Sequence, residues 1–240
     1  MMQGRVDIHT HLLPAVDDGC EDSEQSLACV RSMIQAGYVA AVCTPHIWPN
    51  LPNNIPPIIR SRAAELQQQI DDAGLQFKLF TGGELQLRAD VTEWMAEFGV
   101  PTLGDSRAVL FDFWQPTWPD WVEQSIDWLS ERDYQPIMAH PERMPCVISE
   151  PNVVYDLVGK GLWLQGNLRS LTGENGPHAD EAIRQFLGDR LYRFMAMDVH
   201  GPDFMPSHID GLEILKKEFG ESAATYLTQT SPRALLGFEN

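Results

Sequence analysis

The chain has 240 residues, of which 43% are hydrophobic, and this size and composition suit one globular domain over residues 1–240. Its formal net charge of −17 at pH 7 argues against nucleic acid and anionic membranes as partners, because their phosphates attract basic protein faces. No apolar run reaches the roughly 18 residues of a membrane span, which argues against membrane insertion, and the N-terminus lacks the apolar region of a signal peptide, so we expect a cytoplasmic protein.

Short apolar runs alternate with amphipathic stretches along the chain. Seven runs predict buried strands, at residues 6–9, 38–44, 75–80, 108–113, 136–139, 162–164 and 194–197. Helical periodicity predicts helices at residues 23–36, 58–73, 120–132, 153–158, 179–187, 211–219 and 222–227, with a short helix after Asp90. Repeated strand–helix units imply parallel strands, and seven strands suffice to close a ring. We therefore predict an α/β fold, a distorted (βα)7 TIM-like barrel, with an open doubly wound sheet as the alternative.

Imidazole and carboxylate side chains follow the ends of these strands. Nine residues stand at or just past a strand end: His9, His11, Asp18, His46, Glu84, Asp112, His140, Asp198 and His200. The carboxyl ends of all barrel strands meet on one rim, so these side chains should converge, which they would not do across an open sheet. Imidazole and carboxylate ligands together suit divalent transition metals. The pattern predicts a metal-dependent hydrolase.

Other polar and aromatic side chains lie near the same rim. Arg143 comes close behind the fifth strand and suits phosphate, because its guanidinium is planar and bidentate. Gln165 and Asn167 end the sixth strand, as candidate substrate contacts or as supports for metal ligands. Trp48, in the loop after the second strand, either lines a slot for an aromatic substrate or caps the barrel rim.

Four cysteines and two histidines fall outside this pattern. The cysteines are Cys20, Cys29, Cys43 and Cys146. None belongs to a CxxC pair or precedes an arginine by six positions, so we expect free packing thiols and no thiol-dependent phosphatase chemistry. His178 lies at a predicted helix start and His208 in a predicted loop, and we expect both at the surface.

Six short motifs span nearly the whole chain: DIHTH at residues 7–11, VDDG at 16–19, TPH at 44–46, GE at 83–84, HPER at 140–143 and DVH at 198–200. In this order they resemble the polymerase-and-histidinol-phosphatase (PHP) superfamily, and within it the bacterial tyrosine-protein phosphatases found with capsule and exopolysaccharide genes. The resemblance implies a distorted (βα)7 barrel with two to three divalent metals, most often manganese, with iron or zinc as alternatives. It also implies a phosphotyrosyl protein as substrate, such as the C-terminal tail of a tyrosine kinase.

The resemblance also implies roles for individual residues. The first metal would be held by His9, His11, Glu84 and Asp198, the second by Glu84, Asp112 and His140, and the third by Asp18, His46 and His200. Arg143 matches the phosphate-binding arginine of the family, and the candidate catalytic residues are Arg143, Asp198 and His200.

Three positions depart from the pattern of these relatives. The place of Asp112 is usually Glu, and a second phosphate-facing arginine is expected where this chain has Met205. The loop after His46 is typically basic, whereas here it is neutral. These departures leave the metal ligands intact and bear on how a phosphotyrosyl protein would be held.

The sequence therefore predicts a phosphomonoester hydrolase that uses a metal-activated hydroxide. We favour a protein-tyrosine phosphatase that acts on an exopolysaccharide-type tyrosine kinase. Two alternatives stay open: a histidinol phosphatase or other small-molecule phosphoesterase, and a catalytically weak phosphotyrosine-binding module. A homo-oligomer is compatible with the sequence.

Overall fold

Parallel β-strands form the centre of the structure, a computed structural model that describes residues 3–238. The strands are β1 (Arg5–Thr10), β2 (Tyr38–Cys43), β3 (His46–Ile47), β4 (Lys78–Thr81), β5 (Glu84–Gln86), β6 (Ala108–Asp112), β7 (Gln135–Ala139), β8 (Trp163–Asn167) and β9 (Tyr192–Ala196). The α-helices are α1 (Ser23–Gln35), α2 (Pro56–Asp72), α3 (Val91–Phe98), α4 (Asp120–Ser130), α5 (Pro145–Ser149), α6 (Asn152–Gly159), α7 (Pro177–Gly188), α8 (Met205–Phe219), α9 (Glu221–Thr225) and α10 (Ser231–Leu235). Three short 3-10 turns cover Pro141–Arg143, Leu168–Thr172 and Pro202–Phe204.

The strands close into a ring with seven positions. One sheet has the order β1-β2-β4 and the other the order β3-β5-β6-β7-β8-β9, and every strand pair is parallel. Because β3 continues β2 and β5 continues β4, two of the seven positions hold an interrupted strand. The ring closes between β9 and β1, where His11 N donates to Val199 O at 2.9 Å and Asp198 N donates to His9 O at 2.9 Å. The predicted (βα)7 barrel is confirmed, and the open-sheet alternative is wrong.

The two interruptions move site residues from predicted loops into short strands. Pro45, which has no N–H to donate, separates β2 from β3, and Gly82 and Gly83 separate β4 from β5. The glycines are needed for space rather than for an unusual backbone conformation, since a Cβ on Gly83 would lie 2.4 Å from Ile47 Cδ1. After the breaks, His46 pairs in register with Glu84. The kinks therefore turn both side chains towards one rim.

The predicted helices occur in the predicted order, with starts that differ where proline or glycine hides the period, and the short helices α5 and α10 were not predicted. Asp22 caps the N-terminus of α1, with its Oδ1 accepting from Gln25 N at 2.9 Å. α2 begins at Pro56, since proline suits the first helical turn. α8 begins at Met205 instead of the predicted Gly211, with a proline in its first turn. Within residues 3–238, no helix is long and apolar enough to cross a membrane.

Apolar side chains fill both faces of the strands. The larger cluster packs the strands against the surrounding helices. A smaller cluster, which includes Ile8, Val42, Leu110, Ile137 and Phe194, alternates with it along the strands and occupies the inside of the ring. With the interior packed, polar groups on the strands gather at the carboxyl-end rim, where barrel active sites lie.

Candidate metal centre

All nine residues predicted at strand ends come together at this rim. Four groups of ligand atoms each lie within 4.8 Å of one another. The groups are His11, Asp18, His46 and His200; His9, His11 and Glu84; His9, His140 and Asp198; and Glu84, Asp112 and His140. The shared members show that the groups are contiguous, so the rim offers one extended cluster of donors.

The paired histidines of β1 present lone pairs to the same point. His9 Nδ1 lies 2.8 Å from Gln165 Oε1, and the Gln165 amide nitrogen donates to Asn167 Oδ1 at 2.9 Å. His11 Nδ1 lies 2.7 Å from Asp17 Oδ2. Both Nδ1 atoms face acceptors and must carry a proton, so in the neutral rings both Nε2 atoms are acceptors. These two Nε2 atoms are only 3.2 Å apart, which is repulsive unless a cation or proton lies between them.

Two buried carboxylates face the same point. Glu84 Oε2 lies 3.4 and 3.5 Å from the Nε2 atoms of His9 and His11, and Asp198 Oδ1 lies 3.3 Å from each. In the described part of the chain neither oxygen has a hydrogen-bond partner. Glu84 Oε2 is also 2.7 Å from His46 Nδ1, but without the alignment of a hydrogen bond. Atoms that share one ion through bonds of about 2.1 Å lie roughly 3–3.5 Å apart, so the four donors fit a divalent cation.

The carboxylates of the cluster differ in the direction in which their surroundings shift the pKa. Burial alone raises the pKa of Glu84 and Asp198, but the surrounding imidazoles, His9 first, outweigh it and hold both pKa values well below the usual range. Asp112 instead has a pKa raised to about 8, by burial and then by the charge of Glu84. A bound cation would favour the ionised form of Asp112, as metals do for their ligands.

The group that contains Asp18, His46 and His200 opens to solvent. Asp18 Oδ1 lies 3.3 Å from His46 Nε2 and 3.4 Å from His200 Nε2. The Asp18 side chain is 57% exposed. His200 Nδ1 donates to the carbonyl oxygen of Asp198 at 2.9 Å, which leaves Nε2 as the lone-pair atom. This arrangement suits a metal ligand better than a general acid.

Several groups behind the ligands escaped the sequence analysis. Asp17 orients His11 and also accepts from His46 N at 2.9 Å. Asp7 is buried and accepts from His9 N and Met197 N at 2.9 Å each, so it ties β1 to the end of β9. Asp7 and Asp17 each lie inside a motif already noted, within two residues of a candidate ligand. That short separation was the sequence signal that could have identified them as supports of the ligands. Polar partners of this kind fix the orientation of metal-binding side chains.

Two ligand candidates sit in a strained backbone conformation. His140 has φ 31° and Asp198 has φ 58°, both in the left-handed region that residues other than glycine rarely adopt. Each ends a strand of the barrel and turns its side chain onto the rim. Strain of this kind concentrates at functional sites, which supports a role for both residues.

A cavity of about 300 Å³ opens beside Asp18 and His200. Its lining residues are Asp18, Arg143, Asn167, Arg169, Asn175, Met197, Asp198, His200, Phe204 and His208. Arg143 Nη1 donates to Asp198 Oδ2 at 2.8 Å, and Asn167 Nδ2 donates to the same oxygen at 2.7 Å. The predicted phosphate-binding arginine thus stands at the metal cluster and faces the cavity.

Other predicted residues lie elsewhere. Gln165 is fully buried, and its contacts with His9 and Asn167 favour the supporting role over the substrate contact. Trp48 stacks on His46 with ring centroids 3.9 Å apart and does not line the cavity.

The remaining histidines and cysteines were predicted with mixed success. His178 is exposed, as expected. The prediction for His208 is wrong: α8 begins earlier than expected, and it buries this residue to 2% exposure against the cavity. All four cysteines are buried free thiols, as predicted.

The structure shows the surroundings of two of the three departures from the family pattern, Asp112 and Met205. Trp114 Nε1 donates to Asp112 Oδ2 at 2.5 Å, which holds the short carboxylate arm and leaves Oδ1 to face the cluster without a partner among residues 3–238. Met205 is 2% exposed and packs in the larger core cluster, so its side chain does not line the cavity. Position 205, at the start of α8, therefore holds an apolar core residue and not a phosphate contact.

A parallel barrel whose rim carries several converging groups of imidazole and carboxylate donors is the architecture of a metal-dependent hydrolase. A family model described as capsular polysaccharide synthesis, CpsB/CapC, matches residues 5–237. The chain belongs to the CpsB/CapC family, and the resemblance drawn from its motifs is confirmed.

Relatives in this family are named as tyrosine-protein phosphatases. YwqE of Bacillus subtilis is 30% identical over 227 residues, covering 94% of this chain and 89% of its own. CpsB of Streptococcus agalactiae is 24% identical over 238 residues, covering 96% of this chain and 98% of its own. The structure matches one from a study of YwqE and Streptococcus pneumoniae CpsB, described as metal-dependent tyrosine phosphatases, with a TM-score of 0.89, 29% identity and coverage of 98% and 95%. The Escherichia coli phosphotriesterase homology protein, at 10% identity and a TM-score of 0.62, shares the fold.

Proposed function

We propose that the chain is a metal-dependent tyrosine-protein phosphatase that binds two to three divalent cations, with manganese first and iron or zinc as alternatives. The convergence of nine imidazole and carboxylate donors, among them two Nε2 lone pairs 3.2 Å apart, carries this proposal. Similarity to YwqE over nearly the whole chain supports the tyrosine phosphatase class.

Three ligand sets that share members can be drawn from the four groups of donors. His9, His11, Glu84 and Asp198 would hold one cation, Glu84, Asp112 and His140 a second, and Asp18, His46 and His200 a third. These donors are nitrogen and oxygen atoms only, which suits manganese, iron and zinc. The most exposed set includes Asp18, so the third cation should exchange most easily.

The chemistry of phosphoester hydrolysis needs charge neutralisation and an activated water. When bound, the cations supply Lewis-acid charge and generate a nucleophile near neutral pH. Arg143 faces the cavity and can hold two phosphoryl oxygens through its fork. Asp198 anchors that fork through Oδ2 while Oδ1 faces His9 and His11, so this carboxylate couples phosphate position to the metal cluster. A phenolate leaves without prior protonation, and the ligand-like orientation of His200 therefore does not prevent hydrolysis of an aryl ester.

The physiological substrate proposed is a phosphotyrosyl protein, namely the C-terminal tail of an exopolysaccharide-type tyrosine kinase. A mobile tail can bring its phosphate to the rim cavity, which has the volume of a small ligand site. We also propose that residues 1–240 form one phosphatase domain, since strands from both ends of the chain close the ring. A cytoplasmic location and a homo-oligomeric state stay predictions.

A phosphate-release panel on manganese-reconstituted protein tests this function. The substrates are a phosphotyrosyl peptide, the matched phosphoseryl peptide, an aryl phosphate and histidinol phosphate. We expect the phosphotyrosyl peptide and the aryl phosphate to be hydrolysed, and the two alkyl esters to react much more slowly because alkoxide leaving groups need a general acid.

Two outcomes would overturn the proposal. Preference for histidinol phosphate would identify a small-molecule phosphoesterase. Tight binding of the phosphotyrosyl peptide without release of phosphate, in fully metal-loaded protein, would identify a binding module.

A further inference from the structure

His208 is a buried polar side chain of the cavity that belongs to none of the donor groups. It is 2% exposed, yet neither of its ring nitrogens has a hydrogen-bond partner in the described part of the chain. A buried imidazole without partners lowers the stability of the fold, so such groups usually serve a ligand or water. His208 shares the cavity with Arg143 and Arg169. Its nitrogens are therefore available to a molecule bound there.

Arg169 is held so that part of its guanidinium stays free. Its Nε donates to Glu174 Oε2 at 2.9 Å, and its Cζ lies 4.6 Å from the centre of the Phe204 ring. Glu174 is fixed in turn, because Oε1 accepts from Ser207 Oγ at 2.5 Å. Over residues 3–238 neither Nη atom of Arg169 makes a hydrogen bond to a carboxylate. These contacts leave the two Nη groups for an anion in the cavity.

One buried carboxylate joins the turns that carry the two arginines. Glu142 Oε1 accepts from Asn167 N and from Ser170 Oγ, both at 2.9 Å. Glu142 directly precedes Arg143, and Ser170 directly follows Arg169. The turns after β7 and β8 are thereby joined by two hydrogen bonds, and the one from Ser170 lies within one residue of each arginine.

Helix α8 is brought onto the same turn by a glycine. A Cβ on Gly211 would lie 2.1 Å from Leu168 O, so no other residue allows this approach without a shift of the backbone. His208 precedes Gly211 by about one helical turn and lies on the same face. Close packing of α8 on the Leu168–Thr172 turn thus places His208 and Arg169 at the same cavity.

We propose that Arg169 is a second phosphate-binding arginine of this site, and that the imidazole of His208 donates a further hydrogen bond to the same phosphoryl group. The proposal rests on the phosphatase function proposed above. Arg143 and Arg169 reach the cavity from two neighbouring strand ends and can contact different oxygens of one phosphate. Phosphate recognition then depends on Arg169, which follows β8, because position 205 holds a methionine instead of an arginine.

Binding of inorganic phosphate to manganese-loaded protein, measured by calorimetry, tests the proposal without requiring turnover. Arg169→Ala should weaken phosphate binding by about 10- to 100-fold, and Arg169→Lys should recover only part of the loss. His208→Phe should weaken it by about 3- to 10-fold, whereas His208→Gln, which keeps a donor, should stay closer to wild type. The control Arg62→Ala also removes an arginine paired with one glutamate, and it should leave the affinity for phosphate unchanged. Metal content should be the same in all variants.

Paired kinetics distinguish a phosphate contact from a peptide contact. If Arg169 holds the phosphoryl group, Arg169→Ala loses the same factor in kcat/KM on an aryl phosphate and on a phosphotyrosyl peptide. Unchanged affinity for inorganic phosphate in Arg169→Ala overturns the proposal, and so does a loss confined to the peptide. If the wild type binds phosphate but hydrolyses nothing, the phosphatase function fails while the calorimetric comparison still decides the role of Arg169.

Discussion

Gln165 Oε1 lies 2.8 Å from His9 Nδ1, and this contact decides which nitrogen of His9 carries the proton. Because Gln165 also donates to Asn167 Oδ1, its amide cannot rotate freely. Partners of this kind typically change metal affinity by about 10- to 100-fold. Gln165→Leu should weaken manganese binding by a factor in that range, as measured by competition with a chromophoric chelator. The exposed Gln68→Leu is the control, and equal affinities in the two variants would show that Gln165 does not orient the ligand.

The donor clusters predict the metal content and the effect of its removal. Reconstituted protein should contain two to three transition-metal ions per chain by elemental analysis, since the nine donors divide into three proposed ligand sets. A chelator should abolish aryl phosphate hydrolysis, and added manganese should restore it. Cys146→Ser should leave the rate nearly unchanged, because burial raises the pKa of this thiol to about 11. Fewer than one ion per chain after reconstitution would exclude the proposed sites.

Arg143 faces the cavity while paired with Asp198, and we expect its removal to affect substrate more than metal. Arg143→Ala should lower kcat/KM by roughly 10- to 150-fold, which corresponds to about 1.5–3 kcal/mol for a charged hydrogen bond. Arg143→Lys should rescue only part, since a point charge cannot reproduce the fork. Metal content is measured alongside, and wild-type kinetics in Arg143→Ala would make this arginine structural.

His208 should make stability depend on pH. Burial lowers the pKa of His208 to about 4 from an ordinary value of 6.5. Between these values the unfolded chain binds more protons at this site than the folded chain, so stability falls as pH drops from 6.5 towards 4. From pH 7 to pH 5 this one group should cost about 2 kcal/mol. Urea denaturation of metal-free wild type and His208→Gln at both pH values isolates the effect, and equal pH losses in the two proteins would contradict it.

Met205 packs in the core, and an arginine there should destabilise the fold rather than create a phosphate contact. Met205→Arg would bury a charge without a partner, which typically costs several kcal/mol unless the side chain reaches solvent. We expect a lower melting temperature and no gain in kcat/KM on an aryl phosphate. Met205→Leu, a swap of similar volume, should stay near wild type. Improved turnover in a stable Met205→Arg protein would show that position 205 can reach the phosphate.

Local pattern was enough to predict most of the elements and most of the rim, but not the short elements β3, β5, α5 and α10. Apolar runs and capping residues such as Asp22 report on hydrogen bonds and burial within a few residues, and parallel barrel topology then brings strand ends together without further information. This explains why the histidines of β1 and the acids at Glu84 and Asp198 could be assigned to one site from their positions alone.

Tertiary structure decided what no local pattern contains. The partner of His9 is Gln165, 156 residues away in the chain, and the burial of His208 depends on how closely Gly211 lets α8 approach Leu168. Likewise, the turns that carry the two arginines of the cavity are joined by Glu142 through hydrogen bonds to Asn167 N and Ser170 Oγ. The sequence by itself determined the donor types and the strand ends that carry them, since those depend on local periodicity. Their protonation, spacing and access depend on contacts across the barrel, which form only when the ring closes.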